Sequence, residues 1–415
     1  MADVIRPETR EQVLDAVKWA ISEEAPLEIL GRGTKRALGR PLQVDHSLDV
    51  SALAGIALYE PEELVLTAGP GTPLAEIGEA VAAKNQMLAF EPPDWGPLLG
   101  GEAGQATLGG LVSTNMAGPR RIKYGAVRDH VLGLHAVSGR GEMFKTGGRV
   151  VKNVTGYDLS KLMTGAYGTL GVLTELTLKV LPAPETERTV LLFGLKPAAA
   201  LAAMTAGLKS PHDVSGAAFL PGRVADRTRA GHETEGGVSV TALRLEGFGP
   251  SVDARAEALH DLLQADAPVR EIEDGESRAV WADIRDVAPF RPAAGQPADA
   301  APALWRVSVA PTDGLAVAAA IEQATGAETF LDWGGGLVWA AVPAGVEDAG
   351  ADVVRGAVAA VQGGHATLIR GPEPVRAAID VFQPQPAPRR ALSRRVKESF
   401  DPKGVLNPGR MYAGV

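Results

Sequence analysis

A chain of 415 residues, 45% hydrophobic and 22% charged, is long enough for two domains and has the composition of a globular enzyme. Its net charge of −9 argues against nucleic acid or an anionic membrane surface as principal partner, and no apolar run approaches the roughly 18 residues that a membrane span needs. With no cysteine, disulfides, thiolate metal sites, a cysteine nucleophile and any iron–sulfur cluster held by this chain alone are excluded.

The opening MADVIRPETREQ has no basic segment followed by an apolar one, so a cytoplasmic location is expected. Thr9 followed by Gln12 fits a capping box, and Val13, Ala16, Val17, Ala20 and Ile21 recur at helical spacing. The apolar run Leu27 to Leu30 enters Gly31-Arg32-Gly33-Thr34-Lys35-Arg36, a strand ending in a glycine loop. Strands are expected near 42–50 and 63–68, and Gly71-Thr72-Pro73 opens a helix that buries Leu74, Ile77 and Val81. Residues 100–171 hold 16 of the 49 glycines, as expected of many tight turns around something.

Beyond Pro182 the texture becomes Ala- and Pro-rich, which places a domain boundary near 183. The later part reads strand 304–310, helix 313–325, strand 328–333, turn Gly334-Gly335, strand 336–342, helix 346–362 and strand 365–370. That βαββαβ order is the ferredoxin-like pattern. A strand at 238–247 and a helix at 251–265 extend it, 271–302 reads as a loop or partly disordered insertion, and no internal repeat stands out. In the tail, Leu392, Val396 and Phe400 lie one helical turn apart, Asp401-Pro402 stops the helix, and Asn407-Pro408-Gly409-Arg410 forms a turn. A terminus so punctuated is expected to dock.

Charge is uneven. Residues 29–44 carry Arg32, Lys35, Arg36 and Arg40 with no acid, and residues 103–174 carry nine basic residues against Asp129, Glu142 and Asp158. The basic windows coincide with the glycine-rich ones, and glycine loops that present backbone N–H groups beside Arg or Lys bind phosphates, so a bound polyanion is expected. A Rossmann G-x-G-x-x-G, a P-loop, G-x-S-x-G and H-E-x-x-H are all missing, and the seven histidines show no metal-ligand spacing.

GRGTK after a strand, VLTAGPGTPLAEI, ATLGGLVSTNMAGPRR, KYGAVRDHVLGL, GGRVVKNVTGYDLSKLMTGAYGTLGVLTE and the closing FDPKGVLNPGRMY resemble the vanillyl-alcohol-oxidase, or PCMH, type of FAD-binding protein. LWRVSV and DWGGG make the chain most similar, within that group, to the E-subunit family of bacterial glycolate oxidases. The resemblance implies an α+β fold: a two-part PCMH-type FAD-binding domain over 1–183, a cap over 184–389 with a ferredoxin-like core about 304–370, and a tail, 390–415, returning to the FAD domain. It implies noncovalent FAD, since covalent attachment in the family uses His or Cys and Thr34 stands in the first loop. Gly31, Arg32, Gly33, Thr34 and Lys35 then form the first pyrophosphate loop, with Pro70, Gly71, Thr72 and Leu74 beneath it. Thr107, Gly109, Gly110, Ser113, Asn115 and Gly118 wrap the phosphates and isoalloxazine, with Arg128 and Asp129 beyond. Asn153, Gly156, Tyr157 and Asp158 line the flavin, and Gly171 and Val172 the adenine end. A satisfied turn pair is the plainer reading of Tyr157 and Asp158.

The implied partners are a larger catalytic flavoprotein and an iron–sulfur protein, with any membrane association through them, and the implied substrate is a small 2-hydroxy acid. Three roles stay open: oxidation of glycolate on this chain's own flavin, an electron-relay or structural flavin subunit, or a free-standing oxidase of another substrate. Arg306 is the candidate for the substrate carboxylate; the alternative is a strand arginine pairing Asp332 across the sheet. The histidine cluster that related catalytic chains carry in the cap has no counterpart here, which favours the relay.

Overall fold

The computed structural model describes residues 3–148, 156–232, 234, 236–265 and 267–415. The N-terminal part is built from two sheets. Asp3–Ile5, Leu27–Leu30 and His46–Asp49 form a three-stranded parallel sheet with the last strand in the middle. Thr9 caps the helix Arg10–Ser22 by accepting from the Gln12 N–H, while the Gln12 side chain accepts from Glu8 N–H, so the box closes one residue early. That helix and sheet share a small core of Val13, Val17, Leu27, Leu48, Val137 and Val172. The second sheet is five-stranded and antiparallel, in the order Ile56–Glu60, Val65–Ala68, Gly171–Lys179, Val131–Ser138, Glu142–Gly147.

The cap is one antiparallel sheet of eight strands. Its second half, Ala303–Ser308, helix Gly314–Thr325, Glu328–Asp332, Leu337–Val342, helix Ala351–Ala359 and His365–Arg370, is the expected βαββαβ unit. The first half has the same order, running Thr186–Phe193, helix Pro197–Lys209, Gly216–Leu220, Val240–Gly247, helix Gly249–Leu263 and Val269–Glu273. In each unit the first and third strands are central and paired, and the two units join edge to edge where Phe219 meets Leu331. The cap is therefore a duplicated ferredoxin-like unit. The repeat is one of pattern and not of residues, which is why it does not show in the sequence.

The stretch 271–302 is corrected by the structure: it holds the end of a strand and the helix Asp274–Arg285. Val280, Trp281 and Ile284 recur at helical spacing and are buried, and the indole N–H of Trp281 donates to Thr189 Oγ1 at 2.8 Å. The charges of EDGESRAVWADIRD conceal that stripe.

Strand alternation divides the cap sheet. Trp305, Val307, Val338 and Val342 face the cap's own helices, whereas Leu304, Phe330, Leu337 and Trp339 join a core continuous with Leu66, Leu111 and Leu176 of the N-terminal sheets. Two arginines join the cap to the N-terminal part: buried Arg244 holds Glu91 through both oxygens at 2.9 and 3.1 Å, and half-buried Arg120 holds Glu246 at 2.6 Å and Glu187 at 3.4 Å.

The tail docks. The helix Ala387–Phe400 ends in buried Lys397, whose ammonium donates to Thr169 O, Leu406 O and Asp401. Leu406 then lies alongside Leu27, and the Asn407 side chain accepts from Ile29 N–H at 2.8 Å and donates to Tyr167 O at 2.7 Å.

Candidate cofactor and active site

A cleft runs between the two N-terminal sheets. One wall is the strand end Glu28 to Leu30 and the loop Gly31 to Arg36; the opposite wall is Pro70, Thr107, Gly109, Gly110, Ser113 and Thr114. Tyr167, Gly168, Gly171 and Leu173 with Asn407 and Arg410 of the tail complete it. Of the residues singled out by sequence, Gly31, Arg32, Gly33, Thr34, Lys35, Pro70, Thr107, Gly109, Gly110, Ser113 and Gly171 line this cleft together.

The others stand elsewhere. Thr72 is buried, its hydroxyl bonding Gly55 and Gly69, and a Cβ on Gly71 would lie 2.4 Å from Ser51 O, so both hold the turn under the cleft. Leu74 packs against the core. Asn115 caps the helix Leu108–Thr114 in the left-handed region and accepts from Arg128 N–H, while the Arg128 side chain is exposed. Asp129 accepts from Ala126 N–H, and Gly118 is pressed against Glu91 O. Asp158 caps Leu159–Met163 and pairs with Lys161 at 3.0 Å, and Tyr157 is 91% exposed. Gly156 has a positive φ of 85° and open space around it. Val172 belongs to the small core, its neighbours Gly171 and Leu173 facing the cleft. Asn153 lies outside the described residues.

Most of the basic residues are also spent elsewhere. Arg36 pairs with Glu28, Arg40 donates to the carbonyls of Ala377 and Ile379, and Lys123 pairs with Asp213. Three cations remain at the cleft: Arg32, which donates to Gln105 Oε1 at 2.9 Å, Arg410 and Lys35. Arg410 is buried, donates to Arg36 O at 2.9 Å, and is held down to about 10 by loss of solvent. The Lys35 ammonium makes only a long 3.4 Å contact to Thr34 Oγ1 and is pushed down to about 8, again by desolvation. The turn of the tail and its return to the N-terminal part are expected from the sequence; that Asn407 and Arg410 line the cleft is not.

The cleft fits a dinucleotide. An ammonium with no carboxylate in ion-pair distance among the described residues, Asp94 acting on it only from farther off, stands against backbone that glycine keeps bare: a Cβ on Gly110 would come 3.5 Å from Lys35 Nζ, and one on Gly31 3.0 Å from Thr107 Oγ1. A phosphate supplies the missing counter-charge. The glycines at 165, 168 and 171 have a mixed answer. Gly165 and Gly168 take φ of 86° and 71°, Gly168 lies tight against Asn407, and Gly168 and Gly171 face the cleft.

Lys35→Met follows from this geometry as a test of opposite signs. An ammonium at about 8 in the folded chain and 10.5 when unfolded means the unfolded state binds more protons between those values. The apo-protein therefore gains stability as pH rises from about 8 to 10.5. Lys35→Met should abolish that rise and raise the apo-protein's unfolding temperature at pH 7, while weakening FAD binding at least about tenfold, or 1.4 kcal/mol. Thermal unfolding across pH and a flavin titration measure both.

A two-part α+β N-terminal region with this cleft, under a cap, has the architecture of a FAD-binding protein. The FAD binding domain family matches residues 1–147. The fold is shared with p-cresol methylhydroxylase with substrate bound, at TM-score 0.73 and 17% identity over 98% of this chain and 88% of that one. It is shared too with 4-ethylphenol oxidase from Gulosibacter chungangensis, at TM-score 0.70 and 15% identity over 99% and 89%. Glycolate oxidase subunit GlcE of Escherichia coli (strain K12) is 36% identical over 406 residues, 97% of each chain. Glycolate oxidase subunit GlcD of Bacillus subtilis (strain 168) is 33% identical over 189 residues, covering 45% of this chain and 38% of that one. The chain belongs to the GlcE family of glycolate oxidase subunits.

Proposed function

We propose that this chain is the FAD-holding subunit of a complex that oxidises glycolate to glyoxylate, and that within it the flavin relays electrons between a larger flavoprotein and an iron–sulfur protein. The observation that carries the reading is the end-to-end similarity to a glycolate oxidase E subunit combined with a cleft that suits FAD. Glycolate gives up two electrons and two protons in becoming glyoxylate, and a bound flavin supplies two-electron acceptance with onward one- or two-electron transfer. Since no cysteine is present, a cluster taking those electrons must sit on another polypeptide. The chain's own contribution is to hold the cofactor: Lys35 and the bare backbone at Gly31 and Gly110 meet its phosphates, and Tyr167 and Arg410 close the cleft beneath the cap. FAD is held noncovalently, since no histidine lines the cleft among the described residues and Thr34 stands in the first loop. The domain division at about 183 and 390 remains part of this proposal.

A second reading, direct oxidation by this subunit, draws on Arg306. The strand register sets Arg306 opposite Trp339 and Thr367, and Asp332 opposite Leu337. Among the described residues no ion pair within 4 Å joins Arg306 to Asp332, although each acts on the other's charge. Anaerobic glycolate separates the two readings. The isolated chain should bleach its flavin slowly or not at all while the assembled complex turns over; rapid bleaching of the isolated chain makes it a catalyst in its own right.

A further inference from the structure

The helix Ala387–Phe400 has little of its own to hold it in water. Residues 387–397 carry Arg389, Arg390, Arg394, Arg395 and Lys397 and no acid, in a chain of net charge −9. Lys397 is buried and Ser393, Val396 and Phe400 are half-buried, whereas the four arginines are all exposed, so the first half of the helix has no apolar face in the core. Arg389 and Arg390 fall in the first turn, at the positive end of the helix dipole, and Arg390 and Arg394 are like charges one turn apart. Both arrangements destabilise a helix left to itself. Surface arginines elsewhere find carboxylates, Arg227 at Glu328 and Arg229 at Asp283. Among the described residues these four make no ion pair, and only Arg390 has a side-chain hydrogen bond, to Gln385 O at 3.2 Å. A local conflict repeated four times in two turns marks a surface shaped for something outside the chain.

The helix is rooted beside the cofactor cleft. Ser393 Oγ donates to Gln385 Oε1 at 3.0 Å, and the stretch before it carries Phe382, whose ring meets Tyr167 at 4.9 Å and Tyr412 at 5.8 Å. Tyr167 lines the cleft, while half-buried Tyr412 donates to Gln383 O at 3.3 Å and lies close enough for Arg389 to act on its hydroxyl. Three packed rings thus lead from the cleft wall to the foot of the basic helix. Guanidinium forks in such number match a row of carboxylates, and arginine is favoured where ion pairs are buried between proteins. An anionic lipid surface asks for an apolar face under the charges, and Leu392, 52% exposed, stands alone among the arginines. We propose that the helix Ala387–Phe400 is the docking surface for an acidic face of the polypeptide that takes electrons from this chain's flavin. The choice of partner rests on the relay reading; the surface stands on the unpaired arginines.

The test mixes the FAD-loaded chain with the iron–sulfur subunit and, separately, with the larger flavoprotein, and follows association by sedimentation from about 0.05 to 0.5 M salt. The iron–sulfur subunit should bind, and more weakly as salt rises. Combining Arg389→Gln, Arg390→Gln, Arg394→Gln and Arg395→Gln should weaken it at least about tenfold and flatten the salt dependence, and the four Lys replacements should recover part of the loss. The glutamine variant alone should keep its FAD and unfold at the same or a higher temperature, because it removes cations from the wrong end of a helix. Loss of FAD or of stability in that variant overturns the proposal, since the arginines would then serve the fold. Unchanged affinity for the iron–sulfur subunit overturns the surface and leaves the relay reading standing. Arginine-dependent binding to the larger flavoprotein instead, or to phosphatidylserine vesicles, overturns the choice of partner. Binding of neither subunit to the unaltered chain overturns the relay reading and the docking surface together.

Discussion

Gly110→Ala is expected to lower FAD affinity at least about tenfold while leaving the apo-protein's unfolding temperature unchanged or slightly raised. Gly110 lies within the helix Leu108–Thr114, where alanine is favoured over glycine by about 1 kcal/mol. The added methyl finds Thr107 Oγ1 at 3.4 Å and Lys35 Nζ at 3.5 Å, ordinary contacts that need no backbone movement. It projects into the cleft, so the loss falls on the ligand. The adjacent Gly109→Ala is the control with the reverse signature: its methyl would meet Pro70 Cβ at 2.7 Å, and the fold itself must give. Flavin retained after ultrafiltration and apo-protein calorimetry read the two effects separately. Full FAD retention in Gly110→Ala removes this wall from the site.

The largest loss of stability is expected from Arg244→Met, about 3–5 kcal/mol, because it strips the counter-charge from carboxylates that cannot reach water. Arg244 is 0% exposed and stacks on Trp281 at 4.5 Å while holding Glu91. Glu187 and Glu246 stand directly opposite each other on neighbouring strands, and only Arg120 and Arg244 separate their charges. The two arginines hold the Glu91 carboxyl down to about 2 against an ordinary 4.5. Its stabilisation is therefore fully present above about pH 4.5 and lost as pH falls toward 2. In Arg244→Met the deficit should be greatest at neutral pH and narrow below about 4.5, where the orphaned carboxylates take up protons. Adding Glu91→Gln should restore part of the loss, by the logic of a double-mutant cycle. Urea unfolding of the four proteins at two pH values tests this; additive losses would show that the pair is uncoupled.

What sequence made legible was local: Thr9 as a cap, the strand running into Gly31, the turn at Asn407, the second βαββαβ unit. These depend on neighbours within a few positions. Of the first cap unit the strand at 238–247 and the helix at 251–265 were legible, but its other elements and the helix at 274–285 escaped because the pattern defining them is carried by few residues. The site shows the same division. Lys35 and the glycines facing it belong to two loops whose composition announced a phosphate. Arg120 and Lys123, counted toward the same anion, are neutralised by Glu246 and Asp213, some ninety positions or more away, and no window of sequence contains both partners. Asp129 and Asp158 sit in motifs but act as helix caps, an ordinary use of Asp that the motif alone cannot distinguish from ligand binding.

The seat of Asn407 against Ile29, a hydrogen bond spanning 378 residues, bears on how the protein is made. A ribosome adding about 5–20 residues each second finishes the glycine loop tens of seconds before it reaches the tail. For most of that interval the growing chain has both walls of its cleft and lacks Asn407 and Arg410, which complete it. Firm flavin capture is thus expected only after the tail has left the ribosome and docked.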